Sequence, residues 1–405
     1  MKDRVYKKVW VSKRCENSIR DGHPWIYEGE VEKKSDGIKN GNIVDIISSK
    51  DKYLGSGFYN DNSKIRVRLL SRNANDIFDR DFFKRRINYA LEYRLMVMKN
   101  ELNAFRVIYG EADELPGLTV DKFNDILSVQ ILSLGIDQRR DIILQLLYEV
   151  MEEHGFKIKG IYLRNDVDIR IKEGLKEEKG WYDIGLPIPD SSETEIVENN
   201  IKYYVDFING QKTGFFLDQK YNRLLVRYLA FNHHVLDCCT HTGSFAMNAY
   251  LGGALSVTAC DISSKALSDA KRNFMLNNMK IDTIKADIFE LLKKLGDEKT
   301  KKYDMIILDP PPFTKSRKTV CNALKGYEEI NYLAMKSLPR GGILVTASCS
   351  HFATRELFLD AIHKASIKAN VKLKQIAYHD ASFDHPILIG VDETAYLKLF
   401  VFQVF

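Results

Sequence analysis

Short apolar segments and amphipathic segments alternate regularly through the second half of the chain. Five apolar segments that begin between residues 233 and 341 are each followed by a helical pattern. Parallel strands need a long crossover, usually a helix, so this alternation predicts a parallel, doubly wound sheet. Two more strand-like segments, 372–378 and 396–405, are joined by a loop without a crossover helix and predict an antiparallel hairpin at the sheet edge.

The length of 405 residues predicts two to three domains. Changes in pattern divide the chain into a small β-barrel-like module over 1–72, an α+β middle domain over 73–190 and an α/β domain over 191–405.

Within the middle domain, apolar spacing predicts a helix over 79–100. Strands are predicted at 118–120 and 126–132, with residues 121–124 forming a turn between them.

Charge is distributed unevenly along the chain. Residues 1–72 hold 16 basic and 10 acidic residues, a net charge of +6, whereas the other 333 residues hold 44 and 45, a net charge of −1. In the segment IRVRLL, Arg66 and Arg68 alternate with apolar residues, which predicts a strand with one basic face. We therefore expect the N-terminal module to contact a polyanion.

Several classes of protein are excluded. No apolar run approaches the 18 residues of a membrane span, and the first residues lack the apolar core of a signal peptide. The six cysteines contain no C-x-x-C pair, so we expect no metal site and a reduced, cytoplasmic setting.

Three aspartates end three successive predicted strands: Asp237, Asp261 and Asp287. In open α/β sheets, ligands bind beyond the carboxyl ends of the strands. The turn after Asp237 has only Gly243 and lacks the G-x-G-x-x-G of a dinucleotide site, which disfavours a nicotinamide dehydrogenase. S-adenosylmethionine, which has no phosphate and carries a cationic methionyl end, fits these acids better. A single aspartate at such a position is more often a helix N-cap, and the prediction depends on the three together.

Two further strands end in residues suited to chemistry on a base. Asp309 precedes a proline run that ends in Phe313. Asp309 could form a hydrogen bond to a planar base, and Phe313 could stack on one. Cys349 ends the next strand. A lone cysteine is usually a small core residue. At this edge, however, Cys349 is placed to add to carbon 6 of a pyrimidine and so activate carbon 5 for methylation, with Asp309 assisting at the ring nitrogen.

The order of motifs resembles one family over nearly the whole chain. The matching segments are GHPWIYEGEV (22–31), GSGFYNDNSKIRVRLLS (55–71), GEADELPGLTVDKF (110–123), INGQKTGFFLDQKYNR (208–223), DCCTHTGSFAMNAYLGGA (237–254), LDPPPF (308–313), SCS (348–350) and ASFDHP (381–386). The chain is similar to the bacterial 23S ribosomal RNA large-subunit methyltransferase I family, which consists of class I S-adenosylmethionine-dependent cytosine-5 methyltransferases.

The resemblance implies an N-terminal PUA-like β-barrel and a C-terminal Rossmann-like domain with a mostly parallel seven-stranded sheet. It implies Cys349 as nucleophile with Asp309 beside it, ribosomal RNA as partner and, as a further possibility, a homodimer. The implied cofactor contacts are Asp237, Cys238, Thr240, His241, Thr242, Gly243, Asp261, Ile262, Ser263, Asp287, Ile288, Asp309, Phe216 and Gln219. The expected RNA contacts are Arg66, Arg68, Lys212, Phe313 and Lys315.

The chain departs from the family pattern at Pro312, Lys220 and His351, which are not catalytic groups but could alter the choice of nucleotide. Two other functions stay open. One is methylation of an exocyclic amine of guanine or adenine, which would use the Asp309 loop without Cys349. The other is a non-catalytic RNA-binding factor in ribosome assembly.

Overall fold

A computed structural model describes residues 4–314 and 317–405. The described chain forms two compact units. The first contains the residues up to Ile196 together with Val205–Leu217 and Phe383–Thr394, and the second contains Val197–Tyr204, Asp218–Ser382 and Ala395–Phe405. The first unit contains both the predicted 1–72 module and the predicted 73–190 domain, together with parts of the predicted α/β domain, and the division into three domains stays a prediction.

The N-terminal part of the first unit is a six-stranded sheet with one helix beside it. Its elements are β1 (Lys7–Val11), α1 (Lys13–Arg20), β2 (Trp25–Tyr27), β3 (Val31–Lys34), β4 (Ile43–Ser48), β5 (Tyr53–Tyr59) and β6 (Ile65–Ser71). The strand order is β2-β6-β5-β4-β1-β3, and only β1 and β4 run parallel. Alternate apolar residues such as Val9, Val11 and Ile46 form its core.

A five-stranded sheet with helices follows in the same unit. Its elements are α2 (Arg80–Met98), β7 (Ala104–Tyr109), β8 (Leu118–Phe123), β9 (Ile126–Ile131), α3 (Leu134–Asp137), α4 (Arg140–Glu153), β10 (Gly160–Asn165), α5 (Ile169–Lys172) and β11 (Glu178–Tyr182). The strand order is β11-β10-β9-β8-β7. The helix predicted over 79–100 is confirmed as α2, with Asp79 as the N-cap that accepts the amide of Phe82 at 3.0 Å.

The turn predicted at 121–124 is wrong. β8 continues to Phe123, whose Cα partner in β9 is Ile126, so the turn consists of two residues and Asn124 adopts a positive φ of 55°. Asp121 misled the prediction because its polar side chain is fully buried inside the strand. Arg106 bonds to it through two nitrogens at 2.7 Å each, and this ion pair compensates the buried charge.

A two-stranded hairpin, of which Val197–Tyr204 belong to the second unit, comes before the α/β sheet of that unit. Strands β12 (Glu193–Glu198) and β13 (Ile201–Asp206) form the hairpin, and Asn199 and Asn200 both have positive φ at its turn. The later elements are α6 (Lys220–Leu229), β14 (His234–Cys238), α7 (Ser244–Leu251), β15 (Ser256–Asp261), α8 (Ser264–Leu276), β16 (Asp282–Lys285), α9 (Ile288–Asp297), β17 (Met305–Leu308), α10 (Val320–Ser337), β18 (Ile343–Ser348), α11 (Arg355–Lys368), β19 (Leu373–His379) and β20 (Lys398–Val404).

The seven strands β14–β20 form one sheet in the order β16-β15-β14-β17-β18-β20-β19. All pairs are parallel except those of β20, which runs antiparallel to both β18 and β19. The predicted parallel sheet and its antiparallel hairpin are therefore confirmed. The chain order reverses direction at β14, which lies between β15 and β17, and ligands bind at such a switch point.

Across the residues that the structure describes, no helix combines the length and the apolar character that crossing a membrane requires.

Candidate active site

The strand at the switch point ends with a buried carboxylate. Asp237 is fully buried, and its Oδ2 atom accepts hydrogen bonds from Thr240 Oγ1 at 2.5 Å and the amide of Ala246 at 3.0 Å. Its Oδ1 atom has no hydrogen-bond partner among the described residues. Burial raises the pKa of Asp237 to about 7; the two hydrogen bonds oppose this effect, and the nearby charges of Asp309 and Asp261 reinforce it. A buried carboxylate with an unsatisfied oxygen is suited to a cation, and the amine of S-adenosylmethionine fits it.

The loop after β14 is held in an unusual backbone conformation. Cys239, His241 and Gly243 all adopt positive φ angles, of 60°, 50° and 79°. Gly243 is needed for a second reason, because a Cβ atom there would lie 2.4 Å from the ring of Phe274. The loop therefore lies against α8 at a distance that only glycine allows.

The acid at the end of β15 is tied to the same loop. Asp261 Oδ2 accepts the amide of His241 at 3.0 Å, and its Oδ1 accepts the amide of Ser263 at 2.9 Å. Both oxygens keep a second lone pair, and the side chain is half-buried. The next side chain, Ile262, is 65% exposed and offers an apolar surface beside the acid. This pair suits a ribose and the adenine attached to it.

Asp287 has the structural role that an aspartate at a strand end commonly has. It is the N-cap of α9, and its Oδ1 atom accepts the amides of Phe289 at 2.8 Å and Glu290 at 3.2 Å. The following Ile288 packs against the core of the second unit. Asp287 lies at the predicted strand end, but these contacts alone account for its carboxylate.

Cys238 and Thr242, both predicted cofactor contacts, differ in how far they are buried. Cys238 is fully buried in the core, so only its backbone could meet a cofactor. Thr242 is half-buried, and its carbonyl accepts a hydrogen bond from Asn273 Nδ2 at 3.0 Å. Burial therefore leaves no cofactor contact for the side chain of Cys238, whereas the contact of Thr242 stays a prediction.

Asp309 follows β17 and is held by the side-chain amide of Gln219, which lies in the turn just before α6. Gln219 Nε2 donates to Asp309 Oδ2 at 3.1 Å, and Asn222 Nδ2 donates to Gln219 Oε1 at 2.6 Å. Gln219 is 3% exposed, so its amide orientation is fixed by these two partners. Gln219 was predicted as a cofactor contact, and the structure adds that it orients Asp309. Asn222 was missed, because a single asparagine in a helix carries no signal in the sequence.

The proline loop turns its aromatic residue inward. Phe313 is half-buried, and its ring lies 4.6 Å from Tyr327 and 6.3 Å from Phe289. The ring thus packs against the core cluster in this structure. Its stacking on a base stays a prediction, as does the RNA contact of Lys315, which lies outside the described residues.

Cys349 lies just beyond β18 and is half-buried. β17 and β18 are parallel neighbours, with Leu308 opposite Thr346, so Asp309 and Cys349 end adjacent strands at one edge. Cys349 and Asp309 also affect the same tyrosine. Burial raises the pKa of Tyr327 to about 12, and the charges of Cys349 and Asp309 add to this increase.

A buried lysine beside Cys349 was missed by the sequence analysis. Lys398 begins β20, is 3% exposed and donates from Nζ to the carbonyl of Ser350 at 2.6 Å. A signal was available: Lys398 is a charged residue inside the otherwise apolar run YLKLFVF.

The structure corrects the prediction that β6 has an exposed basic face. Arg66 and Arg68 are 9% and 8% exposed. Arg66 pairs with Glu28 at 2.8 Å and Asp61 at 3.1 Å, while Arg68 pairs with Glu111 at 3.0 Å and Glu173 at 2.8 Å. Their guanidinium groups are paired with acids inside the first unit, so they do not form an exposed surface for phosphates.

Other predicted residues lie elsewhere. Lys212 and Phe216 belong to the first compact unit, where Lys212 Nζ lies 4.5 Å from the Phe216 ring centroid, and their proposed contacts stay predictions. Among the departures from the family pattern, Pro312 is exposed, Lys220 is buried and His351 is half-buried against Phe352. No group of acids, histidines and cysteines suited to hold a metal ion occurs in 4–314 or 317–405.

Two family models match the chain. A model of the PUA-like domain matches residues 9–72, and a model described as S-adenosylmethionine-dependent methyltransferase matches residues 185–402.

Similar proteins match this chain over nearly its full length. Ribosomal RNA large subunit methyltransferase I of Klebsiella pneumoniae (strain 342) is 35% identical over 408 residues, which cover 100% of both chains. The protein of the same name from Escherichia coli (strain SMS-3-5 / SECEC) is 35% identical over 401 residues, which cover 98% of this chain and 99% of the relative.

Two solved structures share the fold. One, described as a SAM-dependent methyltransferase from Streptococcus mutans, has a TM-score of 0.81 at 22% identity over 98% of this chain and 99% of that one. A second methyltransferase, solved in complex with SAH, has a TM-score of 0.82 at 22% identity with the same coverage.

Proposed function

The chain belongs to the ribosomal RNA large-subunit methyltransferase I family, and from that premise we propose that it forms 5-methylcytosine in 23S ribosomal RNA through a covalent bond between Cys349 and the base. The family is one of S-adenosylmethionine-dependent enzymes. The observation that supports the covalent cysteine mechanism is the position of Cys349. This residue is half-buried beside the Asp309 loop, at the ligand-binding edge of the sheet.

The residues of the β14–α7 loop fit the cofactor. The unsatisfied oxygen of Asp237 would receive its amine, and Asp261 with Ile262 would hold the ribose and adenine. When bound, S-adenosylmethionine supplies an electrophilic methyl group and is released as S-adenosylhomocysteine. Because Gly243 has no Cβ atom, the loop that follows Asp237 can lie close to α8.

Cys349 would act before and after methylation. Carbon 5 of cytosine is a poor nucleophile, and addition of the Cys349 thiolate to carbon 6 gives it the character of an enamine carbon. Once carbon 5 carries the methyl group, a base removes the proton from carbon 5. Those electrons re-form the bond between carbons 5 and 6, and Cys349 leaves as a thiolate.

Asp309 would serve the ring during addition. The negative charge that develops at the ring nitrogen needs a proton or a hydrogen bond, which a carboxyl group can supply. Gln219 donates a hydrogen bond to Asp309 Oδ2 at 3.1 Å, and this contact fixes the orientation of the whole carboxyl group. Loss of Asp309 is therefore expected to lower the rate of addition more than the affinity for the cofactor.

The N-terminal module is proposed to contact the ribosomal RNA. It matches the PUA-like model and carries the net charge of +6 over residues 1–72. Exposed cations such as Lys8, Arg14 and Lys50 are the candidates for phosphate contacts, since Arg66 and Arg68 are internally paired.

The test is product analysis with matched cysteine variants. 23S ribosomal RNA from a strain without this gene is treated with wild-type protein, Cys349→Ala and Cys321→Ala, then digested to nucleosides for mass spectrometry. Cys321 is exposed on α10 and serves as the control. We expect 5-methylcytidine from wild type and Cys321→Ala and none from Cys349→Ala. Formation of 5-methylcytidine by Cys349→Ala at the wild-type rate overturns the covalent mechanism, and a methylated amine of guanosine or adenosine supports the other chemistry.

A further inference from the structure

Lys398 contacts the chain on both sides of Cys349. Its Cα atom is the strand partner of Ser348, the last residue of β18, and its ammonium donates to the carbonyl of Ser350 at 2.6 Å. Cys349 is the single residue between these two attachment points. Lys398 and Cys349 therefore lie close enough to interact electrostatically.

We propose that Lys398 is a positioning residue for the methyl-transfer reaction, and that its ammonium group holds Cys349 in the thiolate form. The inference rests on the proposed role of Cys349 as nucleophile. A thiolate is the reactive form of cysteine, and a neighbouring lysine cation is one of the arrangements that favour it at neutral pH.

The burial of Lys398 is costly, and apolar packing does not explain it. The flanking residues Leu397 and Leu399 are 1% and 0% exposed, so the sequence run would pack as a continuous apolar strand if residue 398 were apolar. Taking an ammonium out of water is unfavourable unless a partner compensates its charge. One carbonyl acceptor compensates it partly, and an anionic thiolate would compensate it further.

The charges around Lys398 come from three elements. Besides Cys349 after β18, they are Asp380 after β19 and Glu356 in the first turn of α11. Burial lowers the pKa of Lys398 to about 8, while Cys349, Asp380 and Glu356 oppose this effect. Since Asp380 is half-buried and Glu356 is exposed, water screens Glu356 the most. Tyr327, which also interacts electrostatically with Cys349, stays protonated because burial raises its pKa to about 12.

A structural role for Lys398 predicts a different dependence on its charge. If its only task were to anchor the Ser350 carbonyl, any donor of similar length would replace it. If its charge supports the thiolate, a neutral donor would fail and another cation would succeed. Three substitutions separate these roles: Lys398→Gln keeps a donor without charge, Lys398→Arg keeps the charge, and Lys398→Met keeps only the apolar stem.

The experiment measures the rate of Cys349 alkylation by iodoacetamide against pH, by mass spectrometry of the Cys349 peptide in the full chain. Cys321, which is exposed, gives the reference rate in each sample. We expect a wild-type midpoint below the usual thiol pKa of about 8.5 and a midpoint higher by about one pH unit in Lys398→Met and Lys398→Gln, hence alkylation about tenfold slower at pH 7. Lys398→Arg should keep the wild-type midpoint.

A wild-type midpoint at or above about 8.5 overturns the proposal, and so does a Lys398→Gln profile equal to that of wild type. The first needs no variant, so the proposal can be refuted even if the substitutions prevent folding. Trapping of wild-type protein on RNA that contains 5-fluorocytidine separates this inference from the proposed function. An adduct with an unshifted Lys398→Met profile refutes the role of Lys398 alone, whereas a shifted profile without an adduct refutes the nucleophilic role of Cys349.

Discussion

The buried carboxylate of Asp237 makes cofactor affinity depend on pH. In the free protein the pKa of Asp237 is raised to about 7 by burial, so the group is mostly neutral below that pH. If only the carboxylate binds the amine of the cofactor, affinity falls about tenfold for each pH unit below 7, or about 1.4 kcal/mol. Between pH 8 and pH 5 the expected loss is about hundredfold.

Asp237→Asn removes the charge while leaving a side chain of the same shape. At pH 8 this variant should bind S-adenosylhomocysteine about 10- to 100-fold more weakly, since a hydrogen bond to a charged group contributes about 1.5–3 kcal/mol. Its affinity should no longer change between pH 5 and 8. Asp287→Asn is the control, because Asp287 caps α9 through Oδ1 and the pH dependence near 7 should persist without its charge.

Isothermal titration calorimetry with S-adenosylhomocysteine at several pH values measures this effect. Repeating the titrations in buffers of different ionisation enthalpy counts the protons released, and wild type should release about one proton on binding at pH 6. An affinity that stays constant from pH 5 to 8, with no proton release, refutes the assigned role of Asp237.

The ionisation of Asp237 should also change the folding stability of the ligand-free protein, and here the neutral form of the side chain is the favourable one. The pKa of Asp237 in the folded chain lies above its ordinary value of 3.8, so its neutral form favours folding below about pH 4 and this contribution is lost as the pH rises through about 7. The ionised form then costs about 4 kcal/mol. Asp237→Asn should therefore raise the unfolding temperature of the ligand-free protein at pH 8 and leave it nearly unchanged at pH 4.

Three further substitutions test the structure elsewhere. Gly243→Ala places a Cβ atom 2.4 Å from the Phe274 ring at a positive φ, so it should weaken S-adenosylhomocysteine binding by about 2–4 kcal/mol in calorimetry; full affinity in this variant would refute the close approach. Arg223→Met leaves Glu198 buried without its cation and should lower the free energy of unfolding in urea by about 3–5 kcal/mol, whereas the double variant with Glu198→Leu should recover much of this loss. Arg68→Met should destabilise the protein for the same reason while the slope of log RNA affinity against log salt stays unchanged, and a slope reduced by about one would restore a phosphate contact to Arg68.

The architecture of the second unit follows from local patterns. The alternation of apolar strands and helices predicts the parallel sheet, and the short connection before residue 396 predicts the antiparallel hairpin. The strand-end positions of Asp237, Asp261 and Cys349 follow as well, because the carboxyl ends of parallel strands meet at one edge. These features depend on residues that are near one another in the sequence.

The features that the sequence did not predict depend on distant partners. Arg68 is neutralised by Glu111 and Glu173, which lie 43 and 105 positions away, so alternation in its own strand could not show that it is buried. Asp121 looks like a turn residue until Arg106 is placed opposite it. Lys398 follows Cys349 by 49 positions in the sequence, and only the antiparallel pairing of β18 and β20 brings them together.

The most direct test of the central claim is covalent trapping on 23S ribosomal RNA that contains 5-fluorocytidine. Fluorine at carbon 5 cannot be removed as a proton, so the bond between Cys349 and carbon 6 should persist after methyl transfer. With S-adenosylmethionine present, we expect a stable protein–RNA complex whose digestion places the modified nucleotide on the peptide that contains Cys349. An absence of complex, or an equal yield of complex from Cys349→Ala, would contradict the account.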